Sequence, residues 1–348
     1  MKLKLAFAGA LSLSAFGMVY GMLACSSSEA PSGTTTAGKW PERPEGAAAA
    51  GSEVRTFALK TLSLGGDDAW KNIGYNLDGK VSTKTANDVC KPKIPGIMAD
   101  GKDGIDNSFG QNLISLLNTA LGSSSGGNVE SSVNKTVAEG NFTLLFQAKG
   151  LPADGASATG VTGQVFIGAP FGSVPSFSKN DDWPVRKDFT ENGTADSSKV
   201  KFTNAYVNKG VFVSGDPSTI ALTLTVSGVG LTLNIQRAVV TWKTSGAGLA
   251  EGVVAGIISA DDVVKQIKEL APKLSSQACN GAADKTIETV GNYADILLDG
   301  TTDGSRTCDG ISIGLGFTAA EVKNPTKVVD PVSTATDPCK APSDAGTD

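Results

Sequence analysis

Along the middle of the chain, apolar residues recur at every second position; near both ends they recur at every third or fourth. Alternation opens over Val54–Leu62 and returns at Phe142, Leu144, Phe146 and Ala148. It continues through Gln164–Ile167, a hairpin around Asn208-Lys209-Gly210, and Ile220, Leu222, Leu224 and Val226. Gly228 breaks the run before Leu231, Leu233 and Ile235; Ala238–Trp242, Val253–Ile258 and Ile311–Phe317 follow. Period two marks strands buried on one face, and breaks at Gly mark turns. Helical spacing predicts one helix over 106–121, with Phe109, Leu113, Leu116, Leu117 and Leu121 on one face, Asp106 as cap and Gly122 as C′ glycine. Val129, Val133 and Val137 suggest a further short helix. Another is expected over 260–274, with acidic residues at its positive end, and a partner over 284–298. Strands in the middle, helices near both ends and no βαβ repeat predict an α+β, β-rich fold. The expected architecture is an antiparallel, jelly-roll-like β-sandwich with a few packed helices.

The ends read differently. Lys2 and Lys4 precede an apolar, Gly-broken run to Leu23, the pattern of an export signal over 1–24. Met22-Leu23-Ala24-Cys25 resembles the lipobox of bacterial lipoproteins, with Met where that family usually has Leu. The resemblance implies acylation of Cys25 and attachment to the membrane through an N-terminal lipid. Ser26, not Asp, after the cysteine implies an outer-membrane lipoprotein, on the periplasmic or the surface side. Residues 25–52, rich in Ser, Gly, Pro and Ala, are expected as a flexible tether. One β-rich domain would then span 53–322, followed by a Pro, Thr and Asp-rich tail over 323–348.

Cysteine and histidine usage narrow the chemistry. Of 5 cysteines, Cys25 is assigned to lipid, leaving Cys90, Cys279, Cys308 and Cys339. An even remainder in an exported chain points to two disulfides, with three pairings open. Cys279–Cys308 closes the shorter loop and is favoured on that ground, leaving Cys90–Cys339. The chain has 0 histidines, which removes Ser-His-Asp and Cys-His nucleophile systems and histidine metal sites. The net charge of -5 gives no basic footprint for nucleic acid.

Several stretches, Ala69–Lys80, Gly104–Gly110, Asp181–Pro184 and Cys308–Phe317, resemble a family of myxobacterial outer-envelope lipoproteins. That resemblance implies localisation and a single folded unit; it brings no activity with it. Ser124 in a G-x-S-x-G spacing has no histidine to activate it and follows a helix, not a strand. Asp100, Asp103 and Asp106, interleaved with Gly, are the candidate Ca²⁺ ligands, and no motif calls for any other cofactor. Their spacing is not that of an EF-hand, and Asp-Gly pairs also make ordinary turns. Trp183 beside Asp181 and Asp182 is the candidate saccharide contact, set against plain packing of the indole. The expectation is a lipid-anchored envelope protein, without catalytic residues, that binds a saccharide or an envelope protein or serves a structural role. The alternatives are a carboxylate-dependent glycan hydrolase and a Ca²⁺-stabilised adhesion module.

Overall fold

The computed structural model describes residues 38–331 and Cys339, apart from 122–127, 154, 227–228, 245–247, 275 and 282–283. The leader over 1–24, Cys25, residues 26–37, Gly122, Ser124 and the tail beyond 331 other than Cys339 lie outside the described residues. The strands are β1 (Ala48–Ala49), β2 (Val54–Ser63), β3 (Thr143–Lys149), β4 (Ala158–Gly168), β5 (Val185–Arg186) and β6 (Val200–Asn208). They continue with β7 (Val211–Val213), β8 (Ser218–Val226), β9 (Val229–Thr244), β10 (Leu249–Ser259), β11 (Gly310–Val322) and β12 (Val328–Val329). Eight of them close a ring, β2–β3–β4–β6–β7–β9–β10–β11 and back to β2, with every pair antiparallel.

This closed barrel replaces the expected jelly-roll-like sandwich. Two pairings close it: β4 with β6, from Ala158↔Val207 to Val165↔Val200, and β11 with β2, from Gly316↔Ser63 to Val322↔Thr56. Alternation along a strand reports only that one face is buried. A sandwich and a barrel satisfy it equally, and long-range pairing decides between them.

An eight-stranded ring encloses a space that side chains can fill, and here aromatic rings fill it. Phe212 stacks on Trp242 at 3.6 Å, and Phe146 stacks on Phe317 at 4.3 Å. Phe146 links the pairs through Trp242 at 5.9 Å, and Phe202 extends the column from Phe212 at 6.5 Å. Glycines make room for the rings: a Cβ at Gly163 would lie 2.8 Å from the edge of Phe212, and one at Gly252 would overlap Phe317 and the Thr241 carbonyl. The β6–β7 hairpin turns through Lys209 and Gly210, both at positive φ (49° and 81°), the geometry of a tight hairpin turn.

The helices α1 (Ile114–Leu121), α2 (Val129–Ala138) and α3 (Ala260–Leu274) join this core; α2 packs on β2 and β8, and α3 on β9. Residues Phe109–Leu113 precede α1 as a π-helical turn. Asn107, not Asp106, caps this helix: its Oδ1 accepts the Gly110 N–H at 2.9 Å. Only Asp284–Glu288 (α4) and a 3-10 turn over Thr289–Tyr293 form in the expected 284–298 helix, after which Ile296 pairs with Gly310 as extended chain. β3 pairs with β2 only as far as Ala58. Beyond it, Asn134 of α2 takes the place of a strand, accepting from Leu62 N and donating to Leu62 O at 2.7 and 2.8 Å.

Residues 38–52, expected as part of the tether, are docked on the barrel. Trp40 packs edge-on against Tyr75 at 5.8 Å, Tyr206 Oη donates to Pro41 O at 2.5 Å, Asn208 donates to Glu42 O, and β1 pairs with β4. Composition alone concealed this, because one Trp and backbone pairing do the docking.

Two disulfides are present, with a different pairing from the one favoured. Cys90 is bonded to Cys308, and Cys279 to Cys339. An isolated parallel bridge between Lys91 and Thr307 brings the two cysteine-bearing stretches together: Lys91 N donates to Arg306 O, and Cys308 N to Lys91 O. Proximity in the fold sets the pairing, and loop length does not.

Replacing Gly252 with alanine inserts a methyl against Phe317 and the backbone of β9, so the rings or strands must shift. We expect Gly252→Ala to destabilise the domain by about 1–3 kcal/mol, measured by urea unfolding; an unchanged midpoint would show that the ring column has slack.

Candidate functional site

Two loops, over 70–82 and 100–110, lie on the outer face of β11, where β2 has ended. They supply polar side chains to a strand that lacks a partner. Asn107 Oδ1 accepts the Gly314 N–H at 3.1 Å and its Nδ2 donates to Gly314 O at 3.0 Å and Ile73 O at 2.8 Å. Asp295 accepts from Ser312 N at 2.8 Å and from Ser312 Oγ at 2.6 Å. Gly314 leaves no room for a side chain here, since a Cβ would meet the Gly74 Cα at 2.8 Å and Asn107 Nδ2 at 2.9 Å.

Four carboxyl groups meet in this assembly. Asp78 accepts from Lys80 N at 2.8 Å, Asp100 from Ser82 N at 2.5 Å, and Asp106 from Leu77 N at 2.7 Å; Asp295 is the fourth. Burial pushes the Asp100 carboxyl up to about 8, and the negative charges of Asp78 and Asp295 add to the effect against the pull of the Ser82 N–H. Burial likewise raises Asp295 to about 7, against its bonds to Ser312. Asp106 is raised well above the usual range by burial and by Asp78, Asp100 and Asp295. Asp78 is raised by burial, with Asp88 adding and Lys80 opposing. Asp100 and Asp106 lie near enough that the charge of each disfavours ionisation of the other, which acts in the same direction as burial.

Of the three candidate Ca²⁺ ligands, the fold brings together Asp100 and Asp106 and leaves Asp103 apart, exposed in the left-handed position (φ 57°) of a tight turn. Among the described residues no three Asp, Glu, Cys or His side chains converge as a metal set. Asp78 and Asp295 were missed in the sequence because they lie far from 100–106 and signal nothing individually. Trp183 is fully buried, its ring packed against Phe171 at 4.9 Å and Phe177 at 6.2 Å. Asp181 closes the turn beneath it by accepting from Ser176 Oγ and Phe177 N, each at 2.7 Å. Asp182 accepts from Thr326 Oγ1 at 2.7 Å. These three form a packing unit on the outer face over Ala58, Leu145 and Phe166.

Beside the carboxyl cluster, the outer face of β2, β11, β10, β9 and β7 is left open as a groove of about 590 Å³. Its polar lining includes Thr61, Ser63, Tyr75, Lys243, Glu251 and Thr318. Ile73, Val211 and Val253 contribute apolar patches, and Glu130 and Asn134 reach in from α2. Tyr75 is fixed by a 2.7 Å hydrogen bond between its hydroxyl and Thr241 Oγ1, and burial raises its phenol. Lys243 and Glu251 face each other across β9 and β10. Glu130 spends Oε2 on the Leu64 N–H at 2.7 Å. The sequence could not show this groove, because its residues come from five strands, one loop and one helix.

The chain matches no family model, no curated protein and no solved structure. Its chemistry rests on its own residues.

The raised carboxyls set a pH dependence. An unfolded Asp titrates near 3.8, whereas native Asp100 and Asp295 titrate near 8 and 7. Between those values the native state holds protons that the unfolded chain has lost, so stability falls as pH rises. The stabilisation is complete below about pH 4 and is lost through pH 7–8. We expect the melting temperature to decline from pH 4 to pH 8. Asp100→Asn should raise it at pH 8 by about 2 °C or more and leave it nearly unchanged at pH 4. A flat profile in both proteins would remove the buried charge cluster from the account.

Proposed function

We propose that this chain is a lipid-anchored envelope protein whose role is to bind, without catalysis, through the groove on the outer face of the barrel. The groove itself carries the reading. It is open and lined by hydroxyls, Lys243, the carboxylates of Glu130 and Glu251 and small apolar patches, a mixture suited to a polyhydroxylated ligand such as an envelope saccharide. Among the described residues, aromatic side chains pack the barrel interior. The ring-filled interior is unlike the polar lumen of a membrane-spanning barrel, and the apolar outer patches around Ala58, Leu145 and Phe166 and around Ala255 and Ile257 are buried under other parts of the chain, not left as an exposed band. Among the described residues no helix is long and apolar enough to cross a membrane. The lipobox-like Met22–Cys25, the resemblance to myxobacterial envelope lipoproteins and the two disulfides all support export and anchoring.

One observation favours the hydrolase alternative: Glu130 and Glu251 line the same groove. Against it, Glu130 is held by the Leu64 N–H just beyond β2, and Glu251 stands opposite Lys243. These are the settings of a structural acceptor and a contact pair.

Titrating the protein with oligosaccharides of the cell envelope should raise its melting temperature by RT ln(1 + [L]/Kd) in free-energy terms. Lys243→Ala and Glu251→Ala should each reduce the shift without lowering stability by more than about 0.5 kcal/mol. Release of cleaved sugar that stops on Glu251→Gln would replace the binding reading with the hydrolase. Mass spectrometry should find acylated Cys25 in cells and none on Cys25→Ser; an unmodified Cys25 would refute the anchor.

A further inference from the structure

A closed barrel has no open sheet edges, and three of the extra strands outside the ring are very short. β1, β5 and β12 have two residues each, which is how sheets blunt edges against unwanted pairing. β8 is different. It runs nine residues, Ser218–Val226, and pairs only with β9. Alternate residues of an edge strand turn N–H and C=O away from their one partner. Among the described residues, no backbone or side-chain group bonds these outward groups of β8.

The edge is also unguarded by charge. From Pro217 to Gln236, across both strands of the hairpin, no Lys, Arg, Asp or Glu occurs; Asp216 and Arg237 lie just outside. Nor does β8 contain Pro or Gly. Its residues, Ser-Thr-Ile-Ala-Leu-Thr-Leu-Thr-Val, are mostly those that favour strands. One face is already satisfied within the chain: Ile220, Leu222 and Leu224 are buried with Leu231, Leu233 and Ile235. The register of any added strand is therefore set by the backbone and by the alternation.

We propose that β8 is a dimerisation edge, taking the β8 strand of a second copy of this chain in antiparallel, two-fold pairing. A strand meeting its own copy sets every side chain beside others of the same strand, so charge on β8 would bring like charges together. The lack of charge along β8 suits this occupant. Centred on Leu222, the pairing places Leu222 opposite Leu222 and Ile220 opposite Leu224 of the second copy. Ala221 then stands opposite Thr223, and each hairpin extends into a four-stranded sheet. The backbone supplies the affinity, as in other strand additions.

Sedimentation velocity tests this on the full chain carrying Cys25→Ser, so that lipid cannot drive association. Ala221 is exposed, and a substitution there leaves the packed face of the hairpin intact. We expect a concentration-dependent dimer, weakened about tenfold by Ala221→Lys and likewise by Ala221→Glu. Mixing the two variants should restore it, because Lys and Glu at 221 then lie diagonally across the strand pair as complements. A monomer at every concentration, or a dimer indifferent to both variants, would overturn the proposal. Amide exchange gives a measurement without substitution: outward amides of Ser218–Val226 should gain protection as the unsubstituted β8 dimerises, and protection independent of concentration would refute the pairing.

Discussion

The structure depends on filling a closed ring. Eight antiparallel strands enclose a space just wide enough for side chains to fill, and a linked column of rings from Phe202 through Phe212, Trp242 and Phe146 to Phe317 packs it. Stacked and tilted aromatic pairs contribute about 0.5–1.5 kcal/mol each beyond their burial. The packing has a local cost: the Trp242 indole N–H is buried and has no hydrogen-bond partner among the described residues. An unmet donor costs about 1–3 kcal/mol, a penalty that the column around Trp242 must offset. Filling the lumen leaves the open groove on the outer face.

The outer face is shaped by a second constraint, the backbone left over where neighbouring strands end at different heights. Where β3 stops short of Leu62, Asn134 pairs with both backbone groups of that residue. Where β2 stops short of Gly314, Asn107 does the same. Asp295 serves Ser312 one step further along. A carboxamide offers a donor and an acceptor at peptide-like spacing, so it can replace one residue of a missing strand. Using carboxyls for the same task is costlier. Asp78, Asp100, Asp106 and Asp295 each hold backbone or hydroxyl donors, but together they concentrate negative charge in a buried space. Retained protons resolve that conflict, which ties the order of these loops to pH.

The sequence made the strands legible and their closure illegible. Leu222, Leu231 and Ile235 announced a hairpin because alternation is local, and Lys209-Gly210 announced its neighbour because the turn needs positive φ. Nothing local distinguishes a strand of a sandwich from a strand of this barrel; β4 must find β6, and β11 must find β2, across long stretches of chain. The same limit hid the carboxyl cluster. Asp100 and Asp106 are near in sequence and drew attention, whereas Asp78 and Asp295 join them only through the fold. Trp183 stood out beside two acids, but those acids close turns beneath it and the indole fills a crevice.

The docked N-terminal segment links the fold to the proposed placement. With 25–52 free, a lipid at Cys25 could sit as far as about 95 Å from the barrel at full extension. Docking of 38–52, through Trp40 on Tyr75 and through β1 on β4, leaves only 25–37 as the connection. Whatever conformation that stretch takes, it can span at most about 45 Å. Trp40 also packs against Tyr75, which lines the groove. The same contact that shortens the leash therefore fixes one wall of the groove, so for a chain anchored at Cys25 the reach of the anchor and the shape of the groove depend on the same residues.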